Sequence, residues 1–353
     1  MKKFRLPATC VLAVGLVSSK ASVRGEQPYG LVRTPAQTVQ GTYSFDVRTP
    51  KLAAKEWIVF AAQVPELPGQ TNVRSTLLPG GVPYRELSDR SRDLLRARIP
   101  ATAEARKHHL SGSVEWRATL YARHVERRTP GRTYGAPSVA PQRELQRATA
   151  ETKLLDFSQD AFQAWLDEHR LRIRKREDAL DFGRRAYLAI TRSKSYDYAQ
   201  EMNRQASHVC DVEATDCGGM CVLFAAAMRA NDVPARILFG RWARSAVPND
   251  TLREVPYLQQ HVKAEFYVDG LGWIPVDLSS GVLHDKSAEG LRYFARDPGD
   301  FLTVHVDPDL TIDTIHFGKK DVPFLQSFHY YVTGTGKFED VTVTTDWKDE
   351  KVP

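Results

Sequence analysis

The segment CGGMCVLFAAAMRAND, residues 217–232, restricts the possible folds more than any other part of the chain. Its composition favours a helix, and its middle is apolar on all sides, without a polar stripe that could face solvent. Such a helix must be covered by other elements, so the segment predicts a buried helix inside a domain. Asp232 and Pro234 mark its end, because proline cannot continue a helix.

Helical patterns precede this segment and strand patterns follow it. Apolar residues recur at helical spacing in residues 156–175 and 177–194. The strand-like segments that follow are ARILFGRWA (235–243), HVKAEFYVD (261–269) and GWIPVDLS (272–279). The sequence DGLG separates the last two and is typical of a tight turn, so these two segments predict a β-hairpin.

The rest of the chain predicts a division into two domains joined by linkers. Residues 41–128 contain alternating apolar and polar runs, which predict an all-β sandwich-like domain. Within it, the Pro- and Gly-rich stretch 64–83 predicts long loops between strands. Residues 22–40 and 129–150 are predicted linkers. Residues 151–353 form the second predicted domain, whose tail is a C-terminal β extension.

The first 21 residues have the features of a secretory signal peptide. A basic start, MKKFR, precedes the apolar run LPATCVLAVGLV, which is too short to span a bilayer. Ser19-Lys20-Ala21 then places small residues where a signal peptidase requires them. We therefore expect a secreted or periplasmic protein without a stable membrane span.

The charge balance gives no support for a nucleic-acid partner. The chain has 49 Lys and Arg residues and 43 Asp and Glu residues. Four of the basic residues lie in the leader, which leaves 45 against 43 and a net charge of +2. A chain so nearly balanced is not expected to form the basic patch that nucleic acid requires. The oligomeric state stays open at this point.

Three cysteines remain after the leader: Cys210, Cys217 and Cys221. An odd number in an oxidising compartment leaves at least one thiol unpaired within the chain, which favours a chemically active cysteine. Cys221 follows Cys217 by one helical turn inside the apolar run, which favours a core position. A Cys210–Cys221 disulfide is an open alternative. A zinc site that includes His208 is less favoured, because the spacing is not a usual paired form.

The predicted hairpin brings a histidine and a carboxylate together. Side chains alternate between the two faces of a strand, so Val262 and Phe266 share one face while His261 and Lys263 share the other. When the apolar faces of the two strands are paired, His261 and Asp277 meet on the opposite face at the same end of the hairpin. An imidazole and a carboxylate in this arrangement can act as a base and the group that orients it.

Cys217 supplies a nucleophile for that pair. It stands at the N-terminus of the predicted buried helix, where the helix dipole favours a thiolate. Gly218 and Gly219 would let a substrate approach and would leave backbone N–H groups uncovered to receive an oxyanion. Cys217, His261 and Asp277 in this chain order make a complete set of nucleophile, base and orienting group.

Two segments carry a resemblance to a known family. TDCGGMCVLFAAAMRANDVPAR, from Thr215 to Arg236, resembles the core motif of the transglutaminase-like superfamily, in which a "GDC" opens a helix that ends "RA.GIPAR". HVKAEFYVDGLGWIPVD is similar to the family's "HAWAEVYVPGLGWVPFD". The resemblance implies Cys217 as nucleophile, His261 as base and Asp277 as orienting carboxylate, and it covers residues 150–285 well.

The resemblance also implies a fold and a chemistry. The fold is α+β, a papain-like core in which the cysteine-bearing central helix packs on an antiparallel sheet that carries His and Asp. Members are transglutaminases, cysteine peptidases and amidases, which act on protein or peptide substrates through an acyl-enzyme and need no metal or cofactor. Two positions depart from the motif: Lys263 replaces an aromatic residue and Thr215 replaces a glycine.

Two tryptophans carry separate expectations. We expect Trp273 to pack on the hairpin and shield the His–Asp pair, and Trp242 to pack at the surface, with a stretch that lines a cleft as the alternative. The predicted function is that of a secreted cysteine-dependent amide-bond enzyme, with hydrolysis favoured over cross-linking. The alternative is a catalytically silent envelope binding or scaffold protein, for which Lys263 is the only hint in the sequence.

Overall fold

The computed structural model describes residues 28–135, 138–199, 201–243, 251–252, 255–256 and 260–352. The predicted signal peptide, residues 1–21, lies outside these residues. The helices in the described part are α1 (Glu104–Lys107), α2 (Gln142–Arg147), α3 (Asp160–Glu168), α4 (Ala179–Ser193), α5 (Ala206–Val209), α6 (Cys217–Arg229) and α7 (Leu278–His284). None of these is long and apolar enough to cross a membrane.

The strands divide among several sheets. They are β1 (Tyr29–Arg48), β2 (Leu52–Ala62), β3 (Gln70–Leu78), β4 (Val82–Arg85), β5 (Asp93–Pro100), β6 (His109–Arg127), β7 (Ser195–Tyr196), β8 (Ala214–Thr215), β9 (Ala235–Trp242), β10 (Thr251–Leu252), β11 (Val255–Pro256), β12 (Gln260–Val268), β13 (Gly272–Val276), β14 (Arg296–Asp297), β15 (Phe301–Val306), β16 (Leu310–Asp313), β17 (Lys319–Val322), β18 (Phe328–Gly336) and β19 (Thr342–Val352). The fold is therefore α+β and dominated by sheets, as predicted.

The helix α6 lies in the centre of the C-terminal half, as its apolar sequence predicts. Every one of its residues is buried. It packs on the antiparallel sheet β13-β12-β9-β15, where Phe224 of the helix meets Phe266 of β12 with ring centroids 5.9 Å apart. Helix α4 covers the helix and sheet from another side, and its Gly183 lies directly against the ring of Phe266. This layer of helices on a sheet forms the main hydrophobic core.

Local sequence explains where α6 begins and ends. Asp216 is its N-cap, and the carboxylate accepts a hydrogen bond from the N–H of Gly219 at 2.9 Å. Beyond the C-terminus, Asp232 adopts a positive φ of 57° that turns the chain into β9. The helix therefore has a strong start signal that fixes the position of Cys217, its first residue.

The N-terminal region is built from two antiparallel sheets. One has the order β14-β6-β1-β19, with β3 pairing to β6 from the side, and the other has the order β18-β2-β5-β4. Trp57, Phe45 and Leu77 are among the buried residues between them. Two packed sheets agree with the sandwich-like region that the alternation predicts.

Strand pairing extends beyond the segments that periodicity identifies. β1 begins at Tyr29, within the predicted linker 22–40, because it pairs with β6 along nearly its whole length. The predicted loop stretch 64–83 contains β3, which also pairs with β6. Both differences have one cause: a strand is stabilised by its hydrogen-bonded neighbour, which an irregular local sequence does not reveal.

The C-terminal strands pair with the N-terminal ones. β19 lies beside β1, and β18 lies beside β2. The strand β14 pairs with β6, and the neighbouring strand β15 pairs with β9 of the central sheet. The tail therefore contributes to both halves of the molecule. The division into residues 41–128 and 151–353 stays a prediction.

Candidate active site

His261 and Asp277 meet at one end of the hairpin β12–β13, as the alternation of side chains predicts. His261 is fully buried, and its Nε2 lies 3.0 Å from Oδ2 of Asp277. The other carboxylate oxygen accepts a hydrogen bond from the N–H of Ser280 at 3.0 Å. Asp277 thus caps helix α7, which is why β13 ends at Val276 and not at the predicted residue 279.

The electrostatic surroundings keep Asp277 ionised. Burial acts to raise its pKa, but the neighbouring His261, the hydrogen bond to that ring and the ammonium of Lys263 outweigh burial and lower the pKa to about 2. A carboxylate held in this way fixes the orientation of the imidazole and can stabilise the positive charge that the ring gains when it accepts a proton during a reaction. The pair therefore has the features of a base and its orienting group.

Cys217 is brought to the strand that carries His261. The thiol lies against the backbone N–H of Val262, the residue after His261, and within hydrogen-bonding reach of the Tyr196 side chain. Its residue is 8% exposed, compared with 4% for Cys210 and 0% for Cys221. The structure therefore gathers the three predicted residues around the N-terminus of α6, with Cys217 the most accessible of the described cysteines.

The surroundings of Cys217 oppose the thiolate that the helix dipole favours. Burial raises the pKa of Cys217, Asp216 raises it further, and the hydrogen bond from Val262 lowers it only in part. Burial dominates because the side chain is almost entirely removed from water. The resting site therefore holds a neutral thiol, and the nucleophile needs a base to remove its proton.

Gly219 serves packing more than substrate approach, which corrects the prediction from sequence for this residue. The N–H of Gly219 already donates to Asp216, so it is not available to an oxyanion. A Cβ at Gly219 would lie 2.0 Å from Oγ1 of Thr215. The small residue is thus required by the close approach of β8 to α6.

An ion pair between Arg204 and Asp216 stabilises the start of α6. The guanidinium of Arg204 lies 2.6 Å from Oδ2 of Asp216, and both side chains are largely buried. Its Nε also donates to the same carboxylate at 3.0 Å. This positive charge opposes the effect of Asp216 on the thiol of Cys217. The sequence contains no motif that points to Arg204, because it lies 12 residues before its partner in an irregular segment.

Trp242 contacts the candidate base, so the expectation that it lies at the surface is wrong. It is buried, and its indole stacks on the imidazole of His261 with centroids 4.4 Å apart and planes 19° from parallel. Phe301 meets the same imidazole edge-on at 5.8 Å. Trp273, the expected shield, packs elsewhere against Tyr267. The register between β9 and β12 places Trp242 beside His261, and the residue pattern of a single strand does not reveal that register.

The other two cysteines are free thiols, and no disulfide forms between them. Cys221 is fully buried and its thiol contacts the carbonyl of Val262 at 3.4 Å, in agreement with the predicted core position. Burial raises the pKa of Cys210 to about 12. Among the described residues, no group of three or more His, Cys, Asp or Glu side chains is placed to hold a metal ion.

Comparison with known proteins agrees with this geometry. Residues 170–278 match the family model of the transglutaminase-like superfamily. The chain therefore contains a transglutaminase-like domain, which includes α6 and the hairpin β12–β13. This confirms the resemblance that the two sequence motifs indicate. No curated protein matches the chain significantly.

One solved structure shares the fold, and a second is similar over part of the chain. The crystal structure of a candidate cysteine protease from Cytophaga hutchinsonii matches with a TM-score of 0.55 at 12% identity, over 92% of this chain and 93% of that one. The periplasmic domain of TgpA from Pseudomonas aeruginosa, bound to ethylmercury, matches with a TM-score of 0.35 at 13% identity, over 71% of this chain and 92% of that one. The first likeness extends the shared fold to both halves of the molecule.

Proposed function

We propose that this protein is a secreted cysteine-dependent amide-bond enzyme. Cys217 attacks a carbonyl carbon, His261 removes the thiol proton, and Asp277 orients the ring and stabilises the imidazolium. The observation that carries the proposal is the buried 3.0 Å contact between His261 and Asp277, on the strand against which the Cys217 thiol packs. The transglutaminase-like domain match supports it independently.

The proposed reaction has two halves. Because Nε2 of His261 is bonded to Asp277, Nδ1 is the nitrogen that we expect to accept the proton from Cys217. The thiolate forms a C–S bond, the amide C–N bond breaks, and the imidazolium returns its proton to the leaving amine. Water or a second amine then attacks the thioester and frees Cys217. We place hydrolysis first, because water reaches an acyl-enzyme without a dedicated acceptor site.

The neutral resting thiol fits general-base catalysis. A protonated Cys217 does not react until His261 takes its proton, so the enzyme avoids a permanently exposed thiolate in an oxidising compartment. We propose a peptide or protein as the substrate, because transglutaminase-like chemistry acts on amide carbonyls. No metal or cofactor has a part in these steps.

A thiol-labelling experiment tests the proposal. The purified protein is treated with iodoacetamide, and alkylation of each cysteine is followed by peptide mass spectrometry. We expect Cys217 to react faster than Cys210 and Cys221, and His261→Ala to slow it at least tenfold. His316→Ala is the matched control, since this exposed histidine pairs with Glu56 in the N-terminal region. Equal slow labelling of the three thiols in all variants would contradict the proposal.

A second experiment separates the reaction types. A peptide library is incubated with the protein, with and without a primary amine, and products are followed by mass. Cleaved peptides indicate hydrolysis and amine adducts indicate transamidation. Unchanged masses together with peptide retention would favour the scaffold alternative, for which the contact between Lys263 and Asp277 is the supporting observation.

A further inference from the structure

The face of β12 that carries His261 is lined with buried charges. The Nζ of Lys263 lies 3.8 Å from Oδ2 of Asp277 and 3.6 Å from Oδ1 of Asp297, and the lysine side chain is only 3% exposed. Burial acts to lower the pKa of Lys263, but Asp297 and Asp277 outweigh it and raise the pKa. A fully charged ammonium therefore stands beside the candidate catalytic pair.

These charges continue into the neighbouring strand β9 and into β6 of the N-terminal sheet. Arg123 of β6 lies 3.6 Å from Asp297 and 2.6 Å from Glu265, and Arg236 of β9 lies 2.7 Å from the other oxygen of Glu265. Positive and negative groups alternate, so each has a partner of opposite sign. Loss of one buried partner leaves an uncompensated charge, which makes this arrangement geometrically strict. It holds Lys263 at a fixed distance from Asp277.

Lys263 and His261 share two neighbours. The ammonium lies 4.4 Å from the centre of the Trp242 indole, on which His261 also stacks. Both groups also approach the same carboxylate oxygen, Oδ2 of Asp277. A cation at this place competes for the charge of the carboxylate and repels a second cation on the imidazole. Both the attraction to the carboxylate and the repulsion of a second cation are strong, because all these groups are shielded from water.

We propose that Lys263 is a positioning residue that holds the Asp277 carboxylate in place beside His261 and opposes a positive charge on the imidazole. This inference depends on the proposed function. Substrate binding then supplies the developing negative charge that makes proton transfer to His261 favourable. The lysine that departs from the family motif thus has a defined electrostatic role at Asp277.

Several other titratable groups act on this site and stay in place when Lys263 is changed. Burial raises the pKa of Asp300 to about 6, and its Oδ1 has no hydrogen-bond partner among the described residues. The groups that face His261, Lys263 or Asp277 from the surrounding elements are Cys217, Cys221, Glu265, Asp297, Asp300, Arg123, Tyr187 and Tyr293. The carboxylates in this set attract a positive charge on the imidazole, so removal of Lys263 leaves that attraction unopposed.

The test is the pH profile of Cys217 alkylation by iodoacetamide in the full chain. We expect Lys263→Met to move the acidic limb of the profile to higher pH, with about a tenfold slower rate at pH 5, because the imidazole must be free of a proton to act as the base and loses the cation that opposes that proton. Lys263→Arg keeps the charge and is expected to restore the wild-type profile. Lys194→Met is the matched control, because this buried lysine binds the carbonyls of Cys210 and Val212 and not Asp277.

The outcomes separate the two proposals. An unchanged acidic limb in Lys263→Met, with labelling still dependent on His261, would overturn this inference and leave the proposed function standing. Unselective labelling in the wild type would overturn both. If Lys263→Met does not fold, judged by near-UV circular dichroism, Lys263→Gln removes the charge and keeps a donor for Asp277. The proposal requires the same shift of the acidic limb in Lys263→Gln.

Discussion

The indole of Trp242 and the imidazole of His261 lie nearly parallel, with ring centroids 4.4 Å apart and an interplanar angle of 19°. This contact restricts the ring of the candidate base from the side of β9, while Asp277 holds it by a hydrogen bond at Nε2. Because the stack and the hydrogen bond each restrain the ring, the imidazole has little rotational freedom. Such preorganisation is what a general base needs to accept a proton from a neutral thiol.

Replacement of Trp242 should therefore reduce reactivity through His261. We expect Trp242→Ala to slow alkylation of Cys217 about tenfold, because the ring loses one of its two restraints. Trp242→Phe keeps an aromatic face and should retain most of the rate. Trp273→Ala is the control, since Trp273 packs on Tyr267 away from the pair. A rate in Trp242→Ala equal to that of the control would show that the stack has no positioning role.

Removal of the charge at Asp277 should affect both rate and stability. Asp277→Asn leaves Lys263 and its neighbours with one negative charge fewer, which typically costs about 3–5 kcal/mol in a buried pair. We expect alkylation of Cys217 to fall by about a thousandfold, since the ring loses its orienting partner. Thermal denaturation and labelling of the same sample measure the two effects. Wild-type reactivity in this variant would contradict the role of Asp277.

The same carboxylate predicts a loss of stability in acid. The pKa of Asp277 is lowered in the folded protein to about 2, compared with about 3.9 in an unfolded chain. Its contribution is complete above pH 4 and is lost as the pH falls towards 2, a change of about 2 kcal/mol in the free energy of unfolding. Urea denaturation at pH 5 and pH 2.5 should show a smaller difference in Asp277→Asn than in the wild type. An equal difference in both proteins would argue against this assignment.

The two glycines at the start of α6 make a matched pair for stability. Gly219→Ala places a Cβ 2.0 Å from Oγ1 of Thr215, a clash that should cost about 2 kcal/mol. At Gly218 the nearest atoms are Cδ of Arg204 and Oδ1 of Asp216, each at 3.3 Å, so Gly218→Ala needs only a small shift and should cost much less than Gly219→Ala. Combining Gly219→Ala with Thr215→Ala should recover part of the loss. Equal melting temperatures for the two single variants would refute the packing argument.

The ion pair between Arg204 and Asp216 at the N-cap of α6 should influence the pKa of the Cys217 thiol. Arg204→Gln leaves the Asp216 carboxylate without its 2.6 Å partner next to Cys217. The pKa of Cys217 is raised by burial and by Asp216 and lowered by Arg204, so the variant should raise it further. We expect about tenfold slower alkylation at pH 7 and recovery at higher pH. Arg185→Gln, which breaks the remote pair with Glu177, should leave the rate unchanged.

The candidate triad could be predicted from sequence because its signals are local. Asp216 caps α6 and places Cys217 at the first position of the helix. The alternation along β12 and β13 puts His261 and Asp277 on one face at one end of a short hairpin. Each of these depends on residues close in the chain, where the period of a strand or the geometry of a cap determines direction.

The surroundings of the triad depend on contacts between distant segments. Trp242 reaches His261 only through the register of β9 against β12, and Arg123 reaches Glu265 from a strand more than a hundred residues away. β1 acquires its length from β6 and β19, which no local period shows. The raised pKa of Cys217 follows chiefly from burial, a property of the assembled core that no local pattern contains. The sequence alone thus determined which groups meet, and tertiary packing decided their charge states and their fixed positions.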